Sequence, residues 1–131
     1  MNEQLKYYES KLAFEMDPSD LFDALNNGEM IIAVDARKIF AFEAERIPGA
    51  INFPHREMTI ENTQHLDKEL TYVVYCDGIG CNASTKGALN LTKLGFKVKE
   101  LIGGLQWWKI DGYATEGSNA SLEGEKIKCA C

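Results

Sequence analysis

Hydrophobic residues along the chain form two kinds of pattern, and the two alternate. Continuous apolar or β-branched runs at residues 30–34 and 71–75 show no polar alternation and are typical of strands buried on both faces. Segments with apolar residues at helical spacing separate and follow these runs, the longest at residues 83–94. This alternation predicts an α/β fold, a single domain with a mostly parallel central sheet and helices on both faces.

Turn and capping residues set the boundaries of the predicted elements. Asp17 is placed to cap a helix that has Pro18 at its first position, and Gly95 ends the helix at 83–94. The remaining predictions are helices at 2–13, at 39–45 and around Trp107-Trp108, and strands at 12–16, 50–53 and 96–101. We assign one domain to residues 1–111, with its core from about 12 to 111, and a loosely held C-terminal tail to 112–131.

Charge argues against several kinds of partner. The chain of 131 residues has a net charge of −6, from 14 basic and 20 acidic residues. It therefore has no general means of neutralising nucleic-acid phosphates or anionic lipid. One stretch differs, since residues 83–99 contain four lysines and no acid. No apolar run is long enough to cross a bilayer, and the polar N-terminus lacks a signal-peptide pattern, so we expect a cytoplasmic protein without a membrane partner.

Four cysteines occur, at positions 76, 81, 129 and 131. Without a secretory signal, a structural disulfide framework is not expected, which leaves reactive, metal-binding or incidental thiols. Cys129 and Cys131 could accept sulfur or bind a soft metal, but we favour an unstructured tail because the spacing fits no usual zinc pattern. No organic cofactor motif is present, so we predict neither a cofactor nor a metal site.

Cys76 is the candidate nucleophile. It directly follows the strand at 71–75, and sites in α/β folds form beyond the carboxyl ends of strands. Glycines in the loop at 77–82 allow backbone amides to form an anion-binding concavity, and the loop leads into a helix N-terminus. Both features favour the reactive thiolate. The simpler alternative is an inert, buried cysteine before an ordinary turn.

Five segments, in order, resemble the rhodanese-like sulfurtransferase domains, over about residues 12–111. They are Val34-Asp35-Ala36-Arg37, the segment from Arg46 to Pro54, Tyr72-Val73-Val74-Tyr75-Cys76, Leu94-Gly95-Phe96-Lys97-Val98, and the segment from Leu101 to Trp108.

The resemblance implies a specific chemistry. Cys76 would take sulfane sulfur from a donor, become a persulfide, and pass the sulfur to cyanide, a thiol or an acceptor protein. Asp35 and Arg37 would support the scaffold. The persulfide would be held by main-chain amides of the loop, those of Asp77, Gly78, Ile79, Gly80, Cys81 and Asn82.

The chain departs from the family pattern at the loop. It spans about seven residues, from Cys76 to Asn82, and contains no basic residue. An inward-pointing Asp77 would raise the pKa of the Cys76 thiol and oppose thiosulfate, a dianionic donor. A further difference is Arg46, which stands where the family often has histidine.

Cys81 is the other unusual residue of the loop, and two roles for it stay open. It could resolve the persulfide, releasing sulfide and forming a Cys76–Cys81 disulfide, or it could pack as a small residue under the helix.

Other functions are weighed against sulfur transfer. A catalytically silent rhodanese-like module for interaction or signalling is the first alternative, and metal binding by the four cysteines is another. A phosphatase or arsenate reductase is disfavoured, because Asn82 stands where such enzymes need an arginine to grip the oxyanion.

Overall fold

A computed structural model describes residues 2–120 of the chain. Its elements, in order, are α1 (Asn2–Phe14), β1 (Glu15–Met16), α2 (Pro18–Asn26), β2 (Ile31–Asp35), α3 (Ile39–Ala44), β3 (Ile51–Asn52), a 3-10 turn (His55–Glu57), β4 (Thr71–Tyr75), α4 (Ala83–Lys93), β5 (Lys97–Leu101) and α5 (Gly104–Ile110).

The strands form one sheet in the order β1-β5-β4-β2-β3, and every pairing is parallel. The predicted α/β class is therefore confirmed. β4 lies at the centre, between β5 and β2, with Tyr75 in register with Asp35 at its carboxyl end. The loop after β4 therefore emerges from the carboxyl end of the central strand.

The core lies on both faces of the sheet, which explains why β4 lacks polar alternation. Val73 and Tyr75 belong to the cluster on one face, whereas Tyr72 and Val74 belong to the cluster on the other. All four side chains are at most 1% exposed. Helices cover each cluster, with α2 and α5 residues on one face and α4 residues on the other.

Most predicted boundaries hold to within one residue, and the exceptions are the short strands. β1 and β3 contain only two residues each, and residues 12–14, which we expected in a strand, belong to α1. The predicted cap is present, since the backbone amide of Asp20 donates to the Asp17 carboxylate at 2.9 Å. No helix within residues 2–120 is long and apolar enough to cross a lipid bilayer.

Residues 112–120 are packed against the domain, so the expectation of a loose tail is wrong for them. Glu116 pairs with Arg46 in an antiparallel bridge, and the indole of Trp108 donates to the carbonyl of Ala114 at 2.9 Å. Thr115 is buried. The predictions for Cys129 and Cys131 lie outside the described residues.

Candidate active site

Cys76 lies where the sequence places it, immediately beyond the carboxyl end of β4. It is only 3% exposed. The loop after Cys76 returns the chain to α4, which begins at Ala83. Cys76 thus occupies the position at which an open α/β sheet usually holds its reactive groups.

The start of this loop is fixed by α5. The amide of Leu105 donates to the carbonyl of Cys76 at 2.9 Å, and the amide of Gln106 donates to the carbonyl of Asp77 at 2.8 Å. Both donors belong to the first turn of α5, where amides have no partner inside the helix. Two of these donors therefore hold the two peptide groups that directly follow the Cα atom of Cys76.

Gly104 makes this close approach feasible. Its φ of +61° is the left-handed conformation, and a Cβ there would lie 2.5 Å from the Cys76 carbonyl oxygen and 2.9 Å from the Gly78 nitrogen. Only glycine fits without movement of the loop. In the sequence, Gly103-Gly104 contributed only to the family resemblance, although a glycine pair immediately before a helix could have indicated a tight backbone contact.

Cys76 and Cys81 are joined by a disulfide, with their Cα atoms 6.3 Å apart. The bond closes a short ring within one loop and does not join separate elements of the fold. Cys81 is partly exposed, in contrast to Cys76. The structure therefore brings together the two thiols that the resolving role requires, in their oxidised form.

Arg37 ties the end of β2 to the loop. Its guanidinium donates to both carboxylate oxygens of the fully buried Asp35, at 3.0 and 2.8 Å, and to the carboxylate of Asp77 at 3.0 Å. Burial alone would lower the pKa of Arg37, but hydrogen bonds and attraction from Asp35 and Asp77 outweigh it and raise that pKa. Arg37 therefore offsets part of the carboxylate charge at the site from outside the loop.

Asp77 does not point inward, the orientation that would have opposed a thiolate. Its side chain is 72% exposed, and its carboxylate is paired with Arg37. The loop sequence alone suggested a negatively charged loop, because Arg37 lies 40 residues earlier in the chain.

The loop amides that we expected to hold an anion fall into two groups. The amide of Cys81 donates to the carbonyl of Gly78 at 3.2 Å, so it is engaged within the loop. Within residues 2–120, no protein group accepts a hydrogen bond from the other five amides, those of Asp77, Gly78, Ile79, Gly80 and Asn82.

A cavity of about 920 Å³ opens beside the disulfide and is lined by both cysteines. Its basic residues come from outside the loop, and its most exposed apolar residues are at the start of α3. The side chains that give the cavity this character are Arg37, Lys38, Ile39, Phe40, His55 and Arg56. On the opposite side of the loop, a smaller cavity of about 460 Å³ is lined by Cys81 and Ile79.

His55 lines the larger cavity, and its surroundings lower its pKa. Partial burial, then the positive charges of Lys86 and Arg56, lower its pKa below the ordinary value of 6.5. The neutral imidazole therefore predominates at neutral pH.

Metal binding finds no support in the described part of the chain. Residues 2–120 contain no group of three or more histidine, cysteine or acidic side chains placed to hold a metal ion.

The family model for the rhodanese-like domain matches residues 17–111, so the chain belongs to the rhodanese-like domain family. The match covers the disulfide loop and both segments that hold it, the end of β2 and the start of α5. It ends just before the packed segment at 112–120.

Solved structures agree with this assignment. The BH2092 protein of Bacillus halodurans is 39% identical, with a TM-score of 0.85 over 91% of this chain and 88% of that one. A full-length protein from Lactobacillus plantarum is 25% identical, with a TM-score of 0.76 over 89% and 99% of the two chains. A rhodanese-related protein from Thermoplasma volcanium is also 25% identical, with a TM-score of 0.68 over 79% and 97%. No match was found among curated proteins.

Proposed function

We propose that the protein is a sulfurtransferase or sulfur carrier that moves sulfane sulfur through a persulfide on Cys76. The observation that carries the proposal is the bonded pair of Cys76 and Cys81, which places a second thiol within reach of the nucleophile. Family membership and the position of Cys76 beyond β4 support the same chemistry.

The reaction begins from the reduced loop. The Cys76 thiolate attacks the outer sulfur of a donor persulfide, the sulfur–sulfur bond of the donor breaks, and the donor leaves as a thiolate. Cys76 then carries one additional sulfur. Loop amides without protein acceptors favour the anionic persulfide over its neutral form.

Two routes discharge the persulfide. An acceptor thiolate attacks the outer sulfur and regenerates the Cys76 thiolate. Alternatively, the Cys81 thiolate attacks the Sγ atom of Cys76, and the outer sulfur leaves as sulfide with the electron pair of the broken bond. The second route yields the Cys76–Cys81 disulfide, which an external thiol must then reduce.

Intact mass spectrometry tests the proposal. Reduced protein is incubated separately with polysulfide and with thiosulfate, using the wild type, Cys76→Ser and Cys81→Ser. We expect the wild type to release sulfide and lose two hydrogens, and Cys81→Ser to retain one added sulfur. Cys76→Ser should gain none. Full sulfur transfer by Cys76→Ser would refute the proposal.

One observation favours a second candidate, the catalytically silent module for interaction or signalling. Cys76 is buried and bonded to Cys81, so the nucleophile is not free in this state. This candidate predicts that the reduced Cys76 thiol has ordinary reactivity, with alkylation that follows a pKa near 8.5. A pH series of alkylation rates on Cys81→Ser distinguishes the two, because a carrier needs a lowered pKa.

A further inference from the structure

We propose that the cavity beside the disulfide binds a small thiol bearing carboxylates, which reduces the disulfide by attacking Cys81. The inference deepens the proposed function, and rests on it for its purpose, because it names the thiol class that returns Cys76 to its reactive form. It stands on three features of the cavity: the unequal exposure of the two sulfurs, the unpaired basic residues, and the apolar wall.

The unequal burial of the two cysteines sets the direction of attack. Both line the cavity, but Cys76 is 3% exposed whereas Cys81 is partly exposed. Thiol–disulfide exchange requires access to the sulfur that is attacked. An incoming thiolate therefore reaches Cys81, and Cys76 is the leaving group.

The basic residues at this cavity are of two kinds. Arg37 is engaged by Asp35 and Asp77. Lys38 and Arg56 line the cavity, and Lys86 acts on His55. The side chains of these three residues make no ion pair or hydrogen bond with the described part of the chain.

These three cations stand out in a chain whose net charge is −6. Glu57 is the other acidic residue that lines the cavity besides Asp77. Cations held around a concave site concentrate anionic ligands there. The ligand is therefore a thiol with negative charge.

Size and apolar lining favour a small molecule. A volume of about 920 Å³ falls within the usual range for small-ligand sites. Ile39 and Phe40, which are 53% and 69% exposed, provide an apolar wall for the carbon skeleton of the ligand.

Reduction of the Cys76–Cys81 disulfide takes two thiol–disulfide exchange steps. The ligand thiolate bonds to the Sγ atom of Cys81, the Cys76–Cys81 bond breaks, and Cys76 leaves with the electron pair as a thiolate. A second ligand thiolate attacks the ligand sulfur of the mixed disulfide, and Cys81 leaves as a thiolate. Two ligand thiols are oxidised to one disulfide while the protein disulfide is reduced.

Reduction rates with three matched thiols test the site. Mercaptosuccinate carries two carboxylates, 2-mercaptoethanol is neutral, and cysteamine is cationic. Each rate is divided by the rate of the same thiol with bis(2-hydroxyethyl) disulfide, which removes differences in intrinsic reactivity. We expect a normalised preference of about tenfold for mercaptosuccinate, with saturation, and about 0.5 M sodium chloride should reduce it.

Variants test which residues cause the preference for mercaptosuccinate. The double variant Arg56→Gln with Lys86→Gln should lose most of it, because both side chains are exposed and can be changed without affecting the core. The control double variant Lys93→Gln with Lys97→Gln also removes two positive charges, from the end of α4 and the start of β5, far from the loop, and should retain the preference. Equal normalised rates for the three thiols in the wild type, or an unchanged preference in the double variant, would overturn the proposal.

The mixed disulfide gives a second readout. Acid quenching, alkylation and peptide mapping should find the ligand on Cys81 and the alkyl group on Cys76; the reverse would overturn the direction of attack. These measurements need no sulfur donor. Failure of persulfide formation while the anionic preference holds would refute the proposed function alone. Persulfide formation without an anionic preference would refute this inference alone.

Discussion

Arg37 holds two carboxylates that differ sharply in exposure. Asp35 is fully buried, whereas the side chain of Asp77 is 72% exposed. A buried carboxylate that loses its partner retains the full cost of desolvation, but an exposed one is solvated by water. The same guanidinium therefore has a structural role toward the sheet and a positioning role toward the loop.

We expect Arg37→Ala to lower the free energy of unfolding by about 3 to 5 kcal/mol, because Asp35 is left buried without a counter-charge. Asp77→Asn is the matched control, since it removes only the exposed partner, and its cost should stay below about 1 kcal/mol. Urea unfolding of both variants measures the difference. Similar costs would show that the buried pair contributes no more than the exposed one.

His55 should titrate below its ordinary pKa of 6.5, because burial, Lys86 and Arg56 all disfavour the imidazolium. It therefore gains its proton, and the cavity gains a positive charge, only as the pH falls below that value. Lys86→Gln should raise the pKa of His55, and Lys93→Gln should not. NMR titration of the imidazole protons measures both, and an unchanged pKa in Lys86→Gln would show that Lys86 does not act on this cavity.

At the scale of elements, the long strands and helices were predictable and the contacts that shape the loop were not. β2 and β4 are central strands with buried side chains on both faces, so their sequences carry a strong signal. β1 and β3 are two-residue strands at the edges, defined by backbone pairing that side chains do not encode. α1 shows a weak pattern because none of its residues is buried.

The same reasoning applies to the site. Cys76 and its loop were predictable because they are contiguous with β4 and α4. The contacts from Arg37 and α5 were not, because they join segments far apart in sequence, and two of them are made by backbone amides.

Gly104→Ala should destabilise the fold and displace the loop, because a methyl group would meet the Cys76 carbonyl at 2.5 Å. Gly28→Ala is the matched control. Gly28 also has a positive φ, of +69°, but nothing lies within 4 Å of the added Cβ, so it should cost only the conformational strain of about 1 to 2 kcal/mol. Thermal unfolding and the rate of disulfide reduction measure the two effects, and only Gly104→Ala should change both. Equal behaviour of the two variants would contradict the close approach of α5 to the loop.

For the whole molecule, the segment after α5 completes one of the two cores. Tyr113 stacks on Phe22 with ring centroids 4.2 Å apart, and it also contacts Trp108 at 5.0 Å. The family match ends at residue 111, before these contacts. The packed domain therefore extends beyond the part of the chain that the family pattern describes.

We expect truncation after Asp111 to lower the free energy of unfolding by at least about 2 kcal/mol, through loss of the cover over Trp108 and of the hydrogen bond to Ala114. Truncation after Ala120 retains these contacts and should therefore be more stable than truncation after Asp111. Differential scanning calorimetry compares the two with the full chain. A stable protein ending at Asp111 would show that the segment is dispensable.

The attachment of the loop to α5 has a consequence for how the protein can diversify. Both hydrogen bonds accept on main-chain carbonyls, of Cys76 and Asp77, so no side chain of the loop is needed to keep them. Beyond them, Ile79 is 76% exposed and the space around Gly80 is open. Mutation can therefore alter the composition of this loop in descendants of the chain while the backbone directly after Cys76 keeps its place. Gly104 does not share that freedom, because any side chain there would displace the loop backbone next to Cys76, whatever residues the loop contains.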